Sequence, residues 1–128
     1  MKIAPTVVTA VLLVAGVFHL LPAVGVLGAE RLAGLYGVTL ADPSLLLLMR
    51  HRALLFGLLG AFALHAAWSP PLQIWALAIA LASTAGFAAL AVQAQSLSPA
   101  LRQVMRIDVG LTIALVVALV LRLTLTER

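Results

Sequence analysis

The chain has no cysteine and few charged residues. Its 128 residues include no Cys, and charged side chains make up 9% of them. Without cysteine there is no disulfide framework, no thiolate metal site and no redox clue to the compartment. A soluble domain carries about 25% charged residues, so this chain has too few to cover a surface that faces water.

Motifs of soluble enzymes are missing as well. The sequence contains no phosphate-cradling glycine loop, no nucleophile elbow and no pair of catalytic carboxylates. It has no His-x-x-x-His pair, which argues against a zinc site. The net charge of +4 comes from scattered basic residues. These are expected to meet lipid phosphates at helix ends and not nucleic acid.

Apolar residues dominate what remains. Hydrophobic residues make up 64% of the chain, and the mean hydropathy is +1.20. Four stretches are long enough to cross about 30 Å of hydrocarbon as helices, and helices are expected because lipid offers the backbone no hydrogen-bond partners. The sequence therefore predicts one all-α domain, a transmembrane four-helix bundle, with spans at about residues 5–28, 43–68, 71–93 and 99–123 of the 1–128 chain.

Local signals mark where these helices begin. Asp42 and Ser98 each offer a capping side chain, and each is followed by a proline at the first helical position. The sequence Ser69-Pro70-Pro71 predicts a tight turn between the second and third spans. The first span resembles a signal peptide in having small residues after its apolar run, but the run is longer than a signal core, and we expect it to be retained.

Aromatic residues fall near the ends of the predicted spans. Residues 29–41 predict a short helix lying in the membrane interface, with Tyr36 at the level of the headgroups. Trp68 and Trp75 flank the other side of the membrane and are typical of an aromatic belt. We therefore expect all three aromatic side chains to be interfacial anchors.

Six polar side chains are predicted to lie at a similar depth below one face of the bundle. The first and third spans end on the side where the second and fourth begin, which brings together His19, Arg50, His51, Arg52, Gln93 and Asp108. Small residues at helical spacing let membrane helices approach closely, so they predict which faces meet. These faces carry Gly16, His19 and Ala23; Arg50, Ala53, Gly57 and Gly60; Ala82, Gly86, Ala89 and Gln93; and Asp108 with Thr112.

Asp108 is the most informative member of this cluster. A lone carboxylate inside a membrane span is unfavourable by a few kcal/mol, and a guanidinium partner would offset that. We expect Asp108 to pair with Arg50, which has the better helix face, or with Arg52, which has the better depth. The cluster is then either a packing clasp that fixes helix register, or a ligand, proton or substrate site that opens toward one membrane face.

Three functions are compatible with this pattern. The first is a non-enzymatic accessory or small-ligand-binding bundle that associates with itself or with a larger membrane complex. The second is a membrane-embedded enzyme or redox component acting on a lipid or quinone through His19, Arg50 or Arg52, and Asp108. The third is a proton-coupled transporter, which would need to oligomerise because four short helices enclose little volume. The cofactor is unknown; haem held by His19 and His51 is one possibility.

Two stretches resemble a known group of proteins. FHLLPAVGVLGAERLAGLYGV, followed by LLMRHRALLFGLLGAFALHAA, is similar to small bacterial four-helix membrane proteins that are DoxX-like in outline. The resemblance runs from Phe18 to Asp108 and is sharpest at Arg50-His51-Arg52 before Leu55-Phe56-Gly57 and at Asp108 in the last span. It implies a four-helix fold in the bacterial cytoplasmic membrane and no established activity.

Members of this group sometimes carry the label phosphopantetheine adenylyltransferase. That enzyme is a soluble α/β nucleotidyltransferase with a His-x-Gly-His motif. In this chain His19 is followed by Leu20-Leu21-Pro22, so the motif is missing and we do not expect that activity.

Overall fold

The structure, a computed structural model, describes residues 3–126. Within this range every regular element is a helix: α1 (Ile3–Leu20), a 3-10 helix (Leu21–Leu27), α2 (Ala29–Tyr36), α3 (Pro43–Ala66), α4 (Pro70–Gln93) and α5 (Pro99–Thr126). Four helical segments of the described chain are long and apolar enough to span a membrane: Ile3–Leu27, Pro43–Ala66, Pro70–Gln93 and Pro99–Leu125. The predicted all-α membrane fold is confirmed, with α2 as the short helix between the first two spans.

The first span changes its helix type before it ends. Pro22 has no N–H to donate to the carbonyl of Phe18, so a regular α-helical bond is lost there. The chain tightens into the 3-10 helix from Leu21 to Leu27, and Gly28, with φ of 140°, separates it from α2. The sequence indicated an apolar span to residue 28 but not this change of winding.

The predicted caps form as expected. The carboxylate of Asp42 accepts a hydrogen bond from the Leu45 N–H at 2.8 Å. The hydroxyl of Ser98 accepts one from the Leu101 N–H at 3.1 Å and donates to the Tyr36 carbonyl. Ser98 therefore caps α5 and holds the end of α2 at the same time. Gly37 ends α2 in the left-handed conformation, with φ of 62°, which favours glycine.

Glycines allow α1 and α3 to pack closely. A Cβ placed on Gly60 would lie 2.7 Å from the Gly16 carbonyl oxygen and 2.8 Å from the Leu20 backbone nitrogen. A Cβ on Gly57 would lie 3.2 Å from the Cβ of Ala23. The predicted contact between the small-residue faces of these two helices is therefore confirmed.

The small-residue face predicted for α4 is wrong. Its members point away from the bundle, and the space beside Gly86 is open; they are Ala82, Gly86, Ala89 and Gln93. A different face of α4 is buried, formed by Gln73, Ala76, Leu77, Ala80, Thr84 and Ala91. Because α4 is rich in alanine on more than one side, small-residue spacing alone does not identify its packing face.

The main core fills the half of the bundle away from α2. Its fully buried large side chains include Val8 and Leu12 of α1, Leu77 of α4 and Leu115 of α5. Trp68 and Trp75 are 71% and 66% exposed at this end, as aromatic anchors require. Tyr36 is only 3% exposed. The prediction that Tyr36 is an interfacial anchor is therefore wrong, because α2 turns this side chain into the bundle.

Candidate functional site

A cavity lies in the half of the bundle that contains α2. Its volume is about 200 Å³, and its walls come from α1, the 3-10 helix, α2, α3 and α5. Most of the wall is apolar and includes Phe18, Leu21, Phe56, Val104, Ile107 and Leu111. Four polar side chains complete it: His19, Tyr36, Arg52 and Asp108. Three of the six predicted site residues therefore line one cavity.

The cavity borders the outer surface of the bundle. Phe18 is 38% exposed and Leu21 is 55% exposed, although both contribute to the cavity wall. In a chain with spans this apolar, such a surface faces acyl chains. The wall of the cavity thus continues into a surface that lipid would cover.

His19 is fixed by two hydrogen bonds and is only 4% exposed. Its Nδ1 lies 2.7 Å from the Ala15 carbonyl oxygen, and its Nε2 lies 3.1 Å from the Ser83 hydroxyl oxygen. A carbonyl only accepts hydrogen bonds, so Nδ1 carries a proton. In the neutral ring Nε2 is then the acceptor, and the Ser83 hydroxyl donates to it. The imidazole is held in one orientation, 5.6 Å from the ring of Phe56.

Arg52 is held by aromatic rings and by one hydrogen bond. Its Nη1 donates to the Tyr36 hydroxyl at 2.8 Å. The guanidinium carbon lies 4.4 Å from the ring centroid of Phe56, 5.2 Å from that of Tyr36 and 5.8 Å from that of Phe87. Aromatic faces stabilise a cation, more strongly where water is excluded. These rings make a charged side chain tolerable in an apolar setting without a carboxylate in contact.

Asp108 faces the cavity without the ion pair that we predicted. Arg52 is near enough to attract its carboxylate electrostatically, yet neither Arg50 nor Arg52 has a nitrogen within 4.0 Å of it. Within residues 3–126, no protein group donates a hydrogen bond to this carboxylate. Its backbone carbonyl accepts from the Thr112 hydroxyl at 2.6 Å. The prediction of a direct pair is wrong because Tyr36 and the aromatic rings hold the guanidinium of Arg52.

The other three predicted site residues lie outside the cavity. Arg50 is exposed, and its Nε donates to the Val26 carbonyl at 2.8 Å, at the end of the 3-10 helix. His51 is exposed on α3. Gln93 is exposed, and its amide donates to Ala89 of its own helix at 3.0 Å. Consecutive residues of a helix point in different directions, so only Arg52 of the Arg-His-Arg motif reaches the cavity.

Several residues of the site were not identified from the sequence. Phe56 and Phe87 lie over Arg52, Ser83 bonds His19, and Tyr36 bonds Arg52. Phe56 has a weak sequence signal, since it follows Arg52 by four residues and shares its helix face. For Ser83 and Phe87 no such signal exists, because their partners lie on other helices.

The geometry does not favour haem. Both ring nitrogens of His19 already have protein partners, and His51 is exposed and does not line the cavity. Axial ligation by this pair would require His19 to give up a hydrogen bond and His51 to change direction. In the described part of the chain, no three His, Asp or Glu side chains are grouped to hold a metal ion.

Comparisons of the chain with protein-family models, with curated proteins and with solved structures find no match. The resemblance to DoxX-like membrane proteins stays a prediction. Any conclusion about function therefore rests on the cavity and its polar side chains.

Proposed function

We propose that this protein is a non-enzymatic binding bundle that holds a small, membrane-soluble ligand in the cavity beside α2. One observation carries the proposal. The cavity wall holds the guanidinium of Arg52, on the apolar span α3, and the carboxylate of Asp108, on the apolar span α5, and both keep unused hydrogen-bonding capacity. Ionisable side chains inside membrane spans are unfavourable and usually serve a function. A ligand with a polar head would use the capacity that the protein leaves open.

The size of the cavity limits what it holds. A volume of about 200 Å³ exceeds the roughly 150 Å³ of an apolar cavity that binds benzene. One ring, or one small polar head with a few carbons, therefore fits inside. A longer apolar tail would leave past Phe18 and Leu21, where the wall reaches the outer surface. The ligand would then enter from the lipid and not from water.

The proposal places the protein in the bacterial cytoplasmic membrane, on the strength of the resemblance described above. It also allows association with a second copy or a larger membrane complex. The outward small-residue face of α4, which includes Gly86 and Ala89, supports such association because small residues permit close helix contact. An enzyme or redox component acting on a lipid or quinone would use the same cavity and would differ by converting the bound molecule.

A matched pair of substitutions on α5 tests the proposal. Val104 lines the cavity, whereas Val109 is 45% exposed on the outside of the same helix. Val104→Trp fills the cavity, and Val109→Trp adds the same side chain to the outer surface. We expect native mass spectrometry to find a small molecule with the wild type and with Val109→Trp, and to find it lost from Val104→Trp.

The result that would overturn the proposal is equally direct. The proposal is overturned if wild-type protein purified from its native membrane carries nothing beyond bulk lipid and added amphiphiles bind equally to both tryptophan variants. In that case the cavity would be a packing defect and not a binding site. Recovery of a chemically altered form of an added molecule would instead favour the enzyme.

A further inference from the structure

We infer that the cavity selects an uncharged ligand whose small head carries both a hydrogen-bond acceptor and a hydrogen-bond donor, placed between Arg52 and Asp108. This inference rests on the proposed binding function and adds the chemical class of the ligand. Fatty alcohols, monoacylglycerols and phenolic lipids belong to this class. Fatty-acid anions, lipid phosphates and alkyl amines do not.

Arg52 provides the donor side of the site. Its guanidinium has five N–H groups, all donors, and the described residues use one of them, for the Tyr36 hydroxyl. Its guanidinium carbon lies 4.4 and 5.8 Å from the ring centroids of Phe56 and Phe87, and neither ring offers an oxygen or nitrogen acceptor to the remaining N–H groups. An acceptor oxygen on a ligand would satisfy donors that apolar surroundings would otherwise leave unpaired.

Asp108 provides the acceptor side. No hydrogen bond from the described residues reaches its carboxylate. The helix that carries it is fixed beside α4, since the hydroxyls of Thr112 and Thr84 are 3.0 Å apart. A hydroxyl on the ligand would donate to this carboxylate, and a hydrogen bond to a charged group is stronger than one between neutral groups.

The balance of charge decides against ionic ligands. The cavity wall holds one cation, Arg52, and one anion, Asp108, while Nδ1 and Nε2 of His19 are used by Ala15 and Ser83. Arg50 and His51 are exposed and lie outside the wall. An anionic head would be attracted by Arg52 and repelled by Asp108, and a cationic head would meet the reverse. Neither would recover the hydration that a charge loses on entering an apolar site. A neutral head loses less hydration and satisfies both groups.

Three amphiphiles with one decyl chain and different heads test this inference. They are decylglycerol ether, decanesulfonate and decyltrimethylammonium, which are neutral, permanently anionic and permanently cationic. Each is added at the same membrane mole fraction, at pH 8, to protein in zwitterionic nanodiscs, and native mass spectrometry measures the occupied fraction. We expect wild type to bind the neutral compound at least tenfold better than either ion.

Charge-changing variants then move the preference in a known direction. Asp108→Asn removes the anion with almost no change in shape, and we expect the ratio of sulfonate to glycerol ether binding to rise about tenfold. Arg52→Gln should raise the ratio for trimethylammonium, while Arg52→Lys should keep the neutral preference. Arg50→Gln removes a neighbouring exposed charge and should change nothing. Comparing each variant with wild type cancels differences in how the three compounds partition into the bilayer.

The two proposals fail in different ways. Equal binding of the three compounds to wild type, with loss in Val104→Trp, would overturn the neutral preference and leave the binding function standing. An unchanged preference in Asp108→Asn would overturn it as well. Binding that Val104→Trp does not reduce would overturn the binding function itself.

Discussion

Each end of the bundle contains an arginine, and the two arginines differ in their hydrogen-bond partners. We call one end of the bundle the closed end; it is formed by Thr9, Ala67, Pro70, Gln73 and Arg122. There Arg122 donates to the Gln73 side chain at 2.9 Å and to the Pro70 carbonyl at 3.0 Å. The amide of Gln73 and the hydroxyl of Thr9 both donate to the Ala67 carbonyl at 3.2 Å. These bonds tie α1, α4 and α5 to the turn after α3.

At the cavity end, formed by His19, Tyr36, Arg52 and Asp108, the polar groups surround a space. Among the described residues, Arg52 has one hydrogen-bond acceptor and the Asp108 carboxylate has no donor. A network whose members satisfy one another fixes structure, whereas polar groups with unused capacity beside a cavity are arranged for a ligand. An arginine in a membrane span is therefore no sign of a binding site by itself. Its hydrogen-bond partners must be known before it can be assigned to a structural network or to a site.

Gly16 and Gly60 lie in close contact between the residues of the two ends on α1 and α3, so Gly60→Ala tests whether the two ends share one framework. The new Cβ would meet backbone atoms at 2.7 and 2.8 Å, which cannot move aside as a flexible side chain would. We expect a loss of about 3 kcal/mol in the free energy of unfolding, at the upper end of overpacking effects. Reversible unfolding in bicelles measures it.

Gly86→Ala is the matched control for that substitution. The space around Gly86 is open, so alanine should be neutral or stabilise the helix by up to about 1 kcal/mol. Similar losses in the two variants would show that α1 and α3 do not approach each other closely at Gly16 and Gly60.

Substitutions of two glutamines of α4 compare the closed end with an exposed helix surface. Gln73 is 7% exposed and bonds both Arg122 and the Ala67 carbonyl, whereas Gln93 is exposed and bonds its own helix. We expect Gln73→Leu to lower the free energy of unfolding by about 1–3 kcal/mol, since it removes two hydrogen bonds made by a buried side chain. Gln93→Leu should change it by less than about 0.5 kcal/mol. Equal effects would mean that the hydrogen bonds of Gln73 at the closed end do not stabilise the packing of the helices.

Tyr36→Phe sharpens the comparison at the cavity end. It removes the hydroxyl that accepts a hydrogen bond from Arg52 and keeps the aromatic ring. We expect a loss of about 0.5–1.5 kcal/mol, the usual contribution of one hydrogen bond, measured by the same unfolding assay. An unchanged stability would indicate that the rings alone hold the guanidinium.

Among the substitutions of the polar groups at the two ends, Asp108→Asn should have the smallest effect on stability. The carboxylate accepts no protein hydrogen bond in residues 3–126 and attracts Arg52 from beyond 4.0 Å. We expect the free energy of unfolding of the ligand-free protein to change by no more than about 1 kcal/mol. A loss as large as that of Gln73→Leu would return Asp108 to the role of a structural clasp.

The sequence was sufficient for the spans and their boundaries. Apolar length depends on composition alone, and the caps at Asp42 and Ser98 depend on residues only a few positions apart. It also placed His19, Arg52 and Asp108 at one depth, because depth follows from position along a helix.

The sequence did not predict which side chains contact one another across different helices. Arg50 was favoured by its small-residue face, yet it reaches the Val26 carbonyl and leaves the cavity to Arg52. Tyr36 is typical of an interfacial anchor by type and position, but α2 packs it inward, where it holds Arg52. Both outcomes depend on contacts between elements that no local pattern specifies.

Photolabelling tests the central claim most directly. A neutral decyl amphiphile with a diazirine on its chain is added to the protein in nanodiscs, and the labelled residues are mapped by mass spectrometry. The account predicts labelling at Phe18, Leu21, Val104 and Ile107 that excess unlabelled glycerol ether suppresses and that Val104→Trp abolishes. Labelling spread evenly over the outer surface, unaffected by competitor, would contradict it.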